Sequence, residues 1–162
     1  MKRTIAILAF VSALAAAAFA FGQPVKLSAQ FAQAAVAALR AVNATGWTLP
    51  SSVRELEARQ ADAQDKMETA KYAAENEDDA DTFVYLQRYQ FRHSQNFADY
   101  SNAIARAAAK LTGKDALQRA AAVVDKDPKF IAIKRRELAC GAAIEKALQA
   151  RLFAPPAACD LY

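Results

Sequence analysis

The chain has 162 residues, of which 21 are lysine or arginine, 17 are acidic and one is histidine. Alanine supplies 42 of them and is the best helix former, so the composition favours closely packed helices with a modest core. The length suits a single domain. The net charge of +4 is a poor reason to expect nucleic acid, because two basic residues, Lys2 and Arg3, lie in an N-terminal leader and the remainder is almost neutral.

Residues 1–20 have the layout of a secretory signal peptide. A short positive segment precedes an uncharged apolar run, and Ala18 and Ala20 are the small residues that a signal peptidase inspects. Cleavage would leave one helical domain, residues 21–162, exported by the Sec route to the bacterial periplasm or cell exterior. A retained anchor is the alternative, since the run is close to the minimum of about 17 residues for a span. We predict cleavage and no stable membrane span after it.

The two cysteines, Cys140 and Cys159, indicate a disulfide in an exported protein. A helix that reaches Phe153 places Cys140 about 20 Å back along its axis, and six extended residues cover a similar distance. We therefore predict that the C-terminal tail folds back along its own helix, where the bridge would stabilise the fold by about 3 kcal/mol. An intermolecular bridge is the alternative. A redox site is not expected, since the chain has no C-x-x-C motif.

Four helical segments are predicted, the last of them in two parts, and no sustained alternation predicts a strand. Apolar residues recur at steps of three and four in the second and third segments, which favours an antiparallel hairpin. The third segment would be about 50 Å long. The fold class is therefore all-α, an elongated bundle of about four helices with a long central helix hairpin and a disulfide-stapled C-terminal tail. The segments are Leu27 to Asn43, Ser52 to Asn76, Asp79 to Leu111, and Lys114 to Val124 resuming at Pro128 and ending at Phe153.

Several helix ends carry recognisable signals. Ser52 and Glu55 have the form of a capping box, and Asp127 before a proline has the form of an N-cap. Gly46 and Gly113 are expected to stop the first and third helices.

The stretch from Tyr85 to Tyr100 contains five aromatic residues and the only histidine, His93. On a heptad its side chains form a core seam in which Gln90 and His93 are the polar members. The seam consists of Phe83, Leu86, Gln90, His93, Phe97, Tyr100, Ile104, Ala107 and Leu111, and a second stripe, Val84, Phe91, Ala98 and Ala105, is expected to widen the buried face.

The polar pair in this seam has two interpretations. The favoured one is a structural hydrogen-bond network, with Gln60 as a partner, that fixes the register of the helices. The other is a ligand pocket inside the bundle, formed by His93, Gln90, Tyr89 and Phe97.

No cofactor, metal site or catalytic residue is predicted. A b-type haem could use His93 with Met67, but the hairpin register separates them by more than a turn. One histidine and two oxidised cysteines cannot supply a zinc site. The chain lacks C-x-x-C-H, E-x-x-H and G-x-S-x-G motifs.

Charge is distributed unevenly along the chain. Residues 54–81 carry four basic and ten acidic side chains, whereas residues 103–153 carry eleven basic and five acidic ones. Either the acidic second helix lies beside the basic fourth helix, or a basic ridge docks an anionic partner. The candidate partner-binding residues are Lys134, Arg135, Arg136, Arg88 and Arg92.

These observations favour a non-enzymatic function. The leading hypothesis is an exported binding, scaffolding or accessory protein whose partner is an unknown envelope protein or an anionic surface. The alternative is a bundle that binds a small ligand or b-type haem around His93. A third hypothesis, an envelope-acting hydrolase, has no motif in its support.

Overall fold

The computed structural model describes residues 23–159, and the predicted signal segment lies outside them. Within this range the chain forms five helices and one sheet of two very short strands, so the predicted all-α bundle is confirmed. The elements are β1 (Val25–Lys26), α1 (Ala29–Asn43), α2 (Val53–Tyr72), α3 (Glu77–Ala108), α4 (Ala116–Val124), α5 (Pro128–Gln149) and β2 (Leu152–Phe153).

Helix α1 is the centre of the bundle and packs against α2, α3 and α5. Its buried face contains Ala32, Ala35 and Ala38, whose small side chains let the neighbouring helices approach closely. The predicted hairpin of α2 and α3 is present, but these two helices approach each other less closely than each approaches α1. A groove consequently opens between them.

Helix α3 is long enough to take part in two separate hydrophobic clusters. Its first half packs with α1, α2 and α5 around Phe31 and Leu86. Its second half packs with α4 and the start of α5 around Ile104 and Phe130. The midpoint of α3, between the clusters, is where the polar residues of the seam lie.

The second stripe predicted for α3 was wrong. Val84 is 45% exposed and Phe91 is 65% exposed, and Ala98 and Ala105 are exposed as well. The buried face is widened instead by Tyr85 and Tyr89 on the other side of the seam, because α1, α5 and β2 lie on that side.

The predicted caps are present, with one shift in the capping box. Ser52 Oγ accepts from Glu55 N at 3.1 Å, but the Glu55 carboxylate accepts from the backbone and hydroxyl of Ser51 and not from Ser52. The hydrogen bond from the Ser51 hydroxyl lowers the pKa of Glu55, and the Ser51 backbone bond and Arg59 act in the same direction. Asp127 caps α5 by accepting from Lys129 N at 2.8 Å.

The two predicted glycine stops have different roles. Gly113 has a φ of +105°, yet α3 already ends at Ala108, three residues before the predicted end. In the loop after α1 the left-handed residue is Trp47, with a φ of 62°, and not Gly46. Glycine is needed at position 46 because the His93 imidazole lies against it.

Helix α5 ends at Gln149, four residues before the predicted end at Phe153. Arg151 adopts a left-handed φ of 56°, and the chain then pairs Phe153 with Val25 in an antiparallel bridge. The sequence did not predict this sheet, because strands of two residues are too short to show alternation.

The predicted disulfide between Cys140 and Cys159 is confirmed, with Cα atoms 4.8 Å apart. The tail after β2 therefore folds back along α5. Cys140 is buried, and the tail forms part of the surface beside α3 and α5.

A buried carboxylate, Asp79, joins the starts of α1 and α3 by hydrogen bonds. Asp79 is fully buried and accepts hydrogen bonds from Ser28 N at 3.0 Å, Ser28 Oγ at 2.7 Å and Glu75 N at 3.1 Å. Ser28 is itself the N-cap of α1. Asp79, predicted only as the first residue of the third helical segment, links α1 to α3.

Candidate functional site

The midpoint of α3 contains a buried polar node centred on Glu137 of α5. The carboxylate accepts hydrogen bonds from Trp47 Nε1 and, at 3.3 Å, from Asn96 Nδ2. His93 Nδ1 lies 3.1 Å from Glu137 Oε1. His93 is 2% exposed and Glu137 7% exposed, so the carboxylate is surrounded by protein groups instead of water.

Antiparallel packing brings these residues together. Contacts between Tyr100 and Phe130, between His93 and Glu137, and near Tyr89 and Gly141 show that α3 and α5 run in opposite directions.

The imidazole of His93 is enclosed on all sides. Nδ1 is at ion-pair distance from Glu137 but off the line of a well-aligned hydrogen bond, and Nε2 has no hydrogen-bond partner within residues 23–159. Nε2 faces Gly46, where an added Cβ would lie only 2.5 Å away. Gly46 is therefore required for close approach.

Tyr89, one helical turn before His93, makes a second buried polar contact. Tyr89 lies against His93, with ring centroids 6.3 Å apart, and its hydroxyl donates to Asn43 Oδ1 at 2.7 Å. Burial raises the pKa of Tyr89, and the nearby Glu137 carboxylate raises it further. A Cβ at Gly141 would lie 2.7 Å from the Tyr89 hydroxyl, so this glycine also makes room for a polar contact.

A cleft opens to solvent next to the node, between α3, α5 and the C-terminal tail. Its volume is about 200 Å³. Arg92 of α3 and Arg136 of α5 are both exposed on it, and neither has a hydrogen bond or ion pair with another residue of the described range. The remaining lining residues are Tyr89, Asn96, Ile133, Glu137, Cys140 and Ala158. We call this recess the arginine cleft.

The predicted basic ridge does not form one continuous patch. Consecutive helical residues project about 100° apart, so Lys134, Arg135 and Arg136 point in three directions. Lys134 Nζ lies 5.8 Å from the Trp47 ring centroid, and Arg136 lines the cleft. Arg88 lies one turn from Arg92 on the outer surface of α3.

The predicted ligand-binding set is also divided. His93 and Tyr89 face α1 and α5, whereas Gln90 and Phe97 line the groove between α2 and α3 together with Gln60. No hydrogen bond joins Gln90 to Gln60 among the described residues, so the proposed network between them is not observed.

Sequence reasoning missed Glu137, Trp47 and Asn96. Glu137 occurs in a strongly basic helix and reads as a solvated residue that balances charge. Its i+3 neighbour Cys140 was the available signal, since a buried cysteine implies that its side of the helix faces the core.

No group of three or more potential metal ligands occurs within residues 23–159. The position of Gly46 leaves no room for an iron atom on Nε2 of His93. This packing therefore does not fit a haem ligated by His93. None of the helices in the described range is long and apolar enough to cross a membrane.

Comparisons with protein-family models, with curated proteins and with solved structures find no match to this chain.

Proposed function

We propose that this protein is an exported binding or accessory protein that holds an anionic group of an envelope partner in the arginine cleft. The observation that carries the proposal is the pair Arg92 and Arg136, which face one cleft and form no ion pair with another described residue. Guanidinium groups bind carboxylate and phosphate through paired hydrogen bonds, so two of them in a recess form a receptor for one anion.

The distribution of charge supports a partner outside the chain. No ion pair joins the acidic α2 to the basic α5 within residues 23–159, because α1 lies between them. The one ion pair seen between α1 and α5 joins Arg40 to Glu145, far from the cleft along α5. The positive charge around Arg136 is therefore not cancelled by α2.

The floor of the cleft supports specificity for a small group. Glu137 and Asn96 are fixed by their mutual hydrogen bond and by the buried node, so they do not move to neutralise the arginines. A volume of about 200 Å³ is below that of typical drug-sized pockets. A single phosphate or carboxylate at the end of a larger partner suits this size.

Export is part of the proposal and has its own test. The Cys140–Cys159 bridge is compatible with an oxidising compartment. Intact mass spectrometry of the purified protein should show a chain that begins at Phe21 and is two hydrogens lighter than its reduced form. A retained residue 1 in the exported fraction would contradict cleavage.

Charge reversal tests the cleft. Arg136→Glu, alone and with Arg92→Glu, should reduce binding of inorganic phosphate and capture of envelope material by at least tenfold, since like charge then repels the anion. Arg54→Glu is the matched control, because Arg54 is an exposed arginine of α2 away from the cleft. Unchanged helical circular dichroism would show that the variants fold.

Equal loss in the Arg54 variant would mean that only general charge matters. No loss in the double variant would contradict the proposed function. The alternative, ligand or haem binding around His93, is not favoured by any observation of this packing, since the imidazole is enclosed.

A further inference from the structure

The groove between α2 and α3 is a second recess, on the face of α3 opposite to the arginine cleft. Its volume is about 660 Å³, which lies within the range of small-molecule sites. The groove runs along α3 from Gln90 to Asn102, a distance of about 18 Å at the rise of an α-helix.

The lining of the groove mixes apolar side chains with hydrogen-bonding ones, and none of its residues is charged. This composition is unusual for the surface of a chain in which 23% of the residues are charged. Without a charged side chain in its lining, the groove has no strong electrostatic preference for an anion or for a cation. Its hydrogen-bonding side chains include Gln60, Gln64, Gln90, Ser94, Ser101 and Asn102.

These side chains are not used by the fold. Within residues 23–159, Gln60, Gln90 and Ser94 make no side-chain hydrogen bond to another residue, so their donors and acceptors face solvent in the groove. Gln90 is the most informative of them, because it occupies a seam position where an apolar residue would pack better. Its amide gives the fold no internal hydrogen bond in return.

The hydrogen-bonding groups form two facing rows. Gln60 and Gln64 lie one turn apart on α2, and Gln90 and Ser94 lie one turn apart on α3, so each row repeats about every 6 Å. Half-buried Phe97 supplies an aromatic surface between the polar positions.

We propose that the groove binds a neutral glycan chain. A sugar ring carries hydroxyl groups on its edge, each able to donate and to accept, and amide side chains can do both as well. Its C–H face is apolar and suits the ring of Phe97. An extended peptide suits the groove less well, because a groove between two helices has no sheet edge with which the peptide backbone could pair. This inference does not depend on the arginine cleft.

The test is an NMR titration of the purified, oxidised protein with two soluble neutral probes, maltotetraose and tri-N-acetylchitotriose. We expect saturable shifts of the α2 and α3 groove amides by at least one probe, with a Kd of about 1 mM or tighter. Gln60→Ala with Gln90→Ala should weaken this binding at least fivefold. Gln87→Ala is the matched control, since Gln87 lies on the outer surface of α3.

Sedimentation with insoluble chitin, a neutral polymer, distinguishes a polymeric glycan strand from a free oligosaccharide. Pelleting that depends on Gln60 and Gln90 supports the strand, and soluble binding without pelleting supports the free sugar. The inference is overturned if neither the soluble probes nor chitin bind. It is also overturned if the double variant binds as the parent does, or if an uncharged Gly-Ser-Asn peptide binds more tightly than both sugars.

Discussion

Gly46 lies directly against the imidazole of His93, so close that a methyl group at position 46 would stand 2.5 Å from Nε2. The imidazole cannot retreat, because Glu137 and Tyr89 hold its other sides. The loop after α1 and the midpoint of α3 are thus fitted to each other.

Gly46→Ala should destabilise the protein by about 2 kcal/mol, since overpacking forces either the loop or the imidazole to move. Urea unfolding followed by the fluorescence of Trp47, the only tryptophan, would measure the loss. Thr48→Ala, at an exposed position of the same loop, is the control. Combining Gly46→Ala with His93→Ala should recover part of the loss, and strictly additive effects would contradict the contact.

Glu137→Ala should lower the free energy of unfolding by about 3 kcal/mol, because it removes the acceptor of the half-buried Trp47 indole and leaves a gap beside the buried His93. Glu145→Ala on the same helix is the control. Glu145 pairs with the exposed Arg40, and surface pairs contribute less than about 1 kcal/mol. If both variants lost the same free energy of unfolding, the buried contacts of Glu137 would add nothing to stability beyond those of a surface pair.

Asp79→Ala should be destabilising by about 2 kcal/mol, because Ser28 and the Glu75 amide lose hydrogen bonds to a carboxylate that is itself fully buried. Asp78→Ala removes a neighbouring exposed acid and serves as the control. Hydrogen exchange adds a local readout. Amides at the start of α1 should lose protection in the Asp79 variant, and unchanged protection there would contradict the link between α1 and α3.

Removing the disulfide should lower stability by about 3 kcal/mol, since the bridge between Cys140 and Cys159 closes a loop with a sequence separation of 19. Cys140→Ala with Cys159→Ala, measured by urea unfolding, tests this. Treatment of the parent with reductant should give a similar loss, and reductant should not affect the variant. A reductant effect on the variant would point to another cause.

Stability should fall as the pH rises above about 10, the ordinary pKa of tyrosine. Burial raises the pKa of both Tyr89 and Tyr100, and a hydrogen bond to Asp125 adds to the effect for Tyr100. Above pH 10 the unfolded chain releases these protons while the folded chain keeps them, so folding loses stability. The stability contributed by the two protonated tyrosines is fully present below about pH 10.

Urea unfolding at a series of alkaline pH values would measure this slope. Tyr100→Phe should make the slope shallower, whereas Tyr72→Phe, at a site 84% exposed, should leave it unchanged. Identical slopes for all three proteins would contradict the assignment to Tyr100.

Much of the fold could be predicted from local patterns. The helices follow from apolar spacing, their starts follow from caps such as Ser52 and Asp127, and the bridge follows from the two cysteines. These features depend on residues close in sequence or on simple chain geometry. The stripe containing Phe91 was misjudged because a heptad pattern identifies a seam but not which side of it receives further helices.

The candidate sites depended on contacts between distant residues. His93 was recognised as polar and buried, but its partner Glu137 lies on a helix whose sequence predicts a charged surface. Gln90 and His93, one turn apart on the seam, were predicted to share a pocket, yet they face different neighbours.

The sequence by itself determined the helical class, most helix boundaries and the stapled tail, because propensity, capping and loop closure are local properties of the chain. Only the tertiary structure decided that α1 is the central helix, that Arg92 and Arg136 share a cleft, and that an uncharged groove lies between α2 and α3. The physical reason is that a cleft or a buried pair is defined by the relative placement of whole helices. That placement is set by which side chains are small enough, as in α1, to let helices approach.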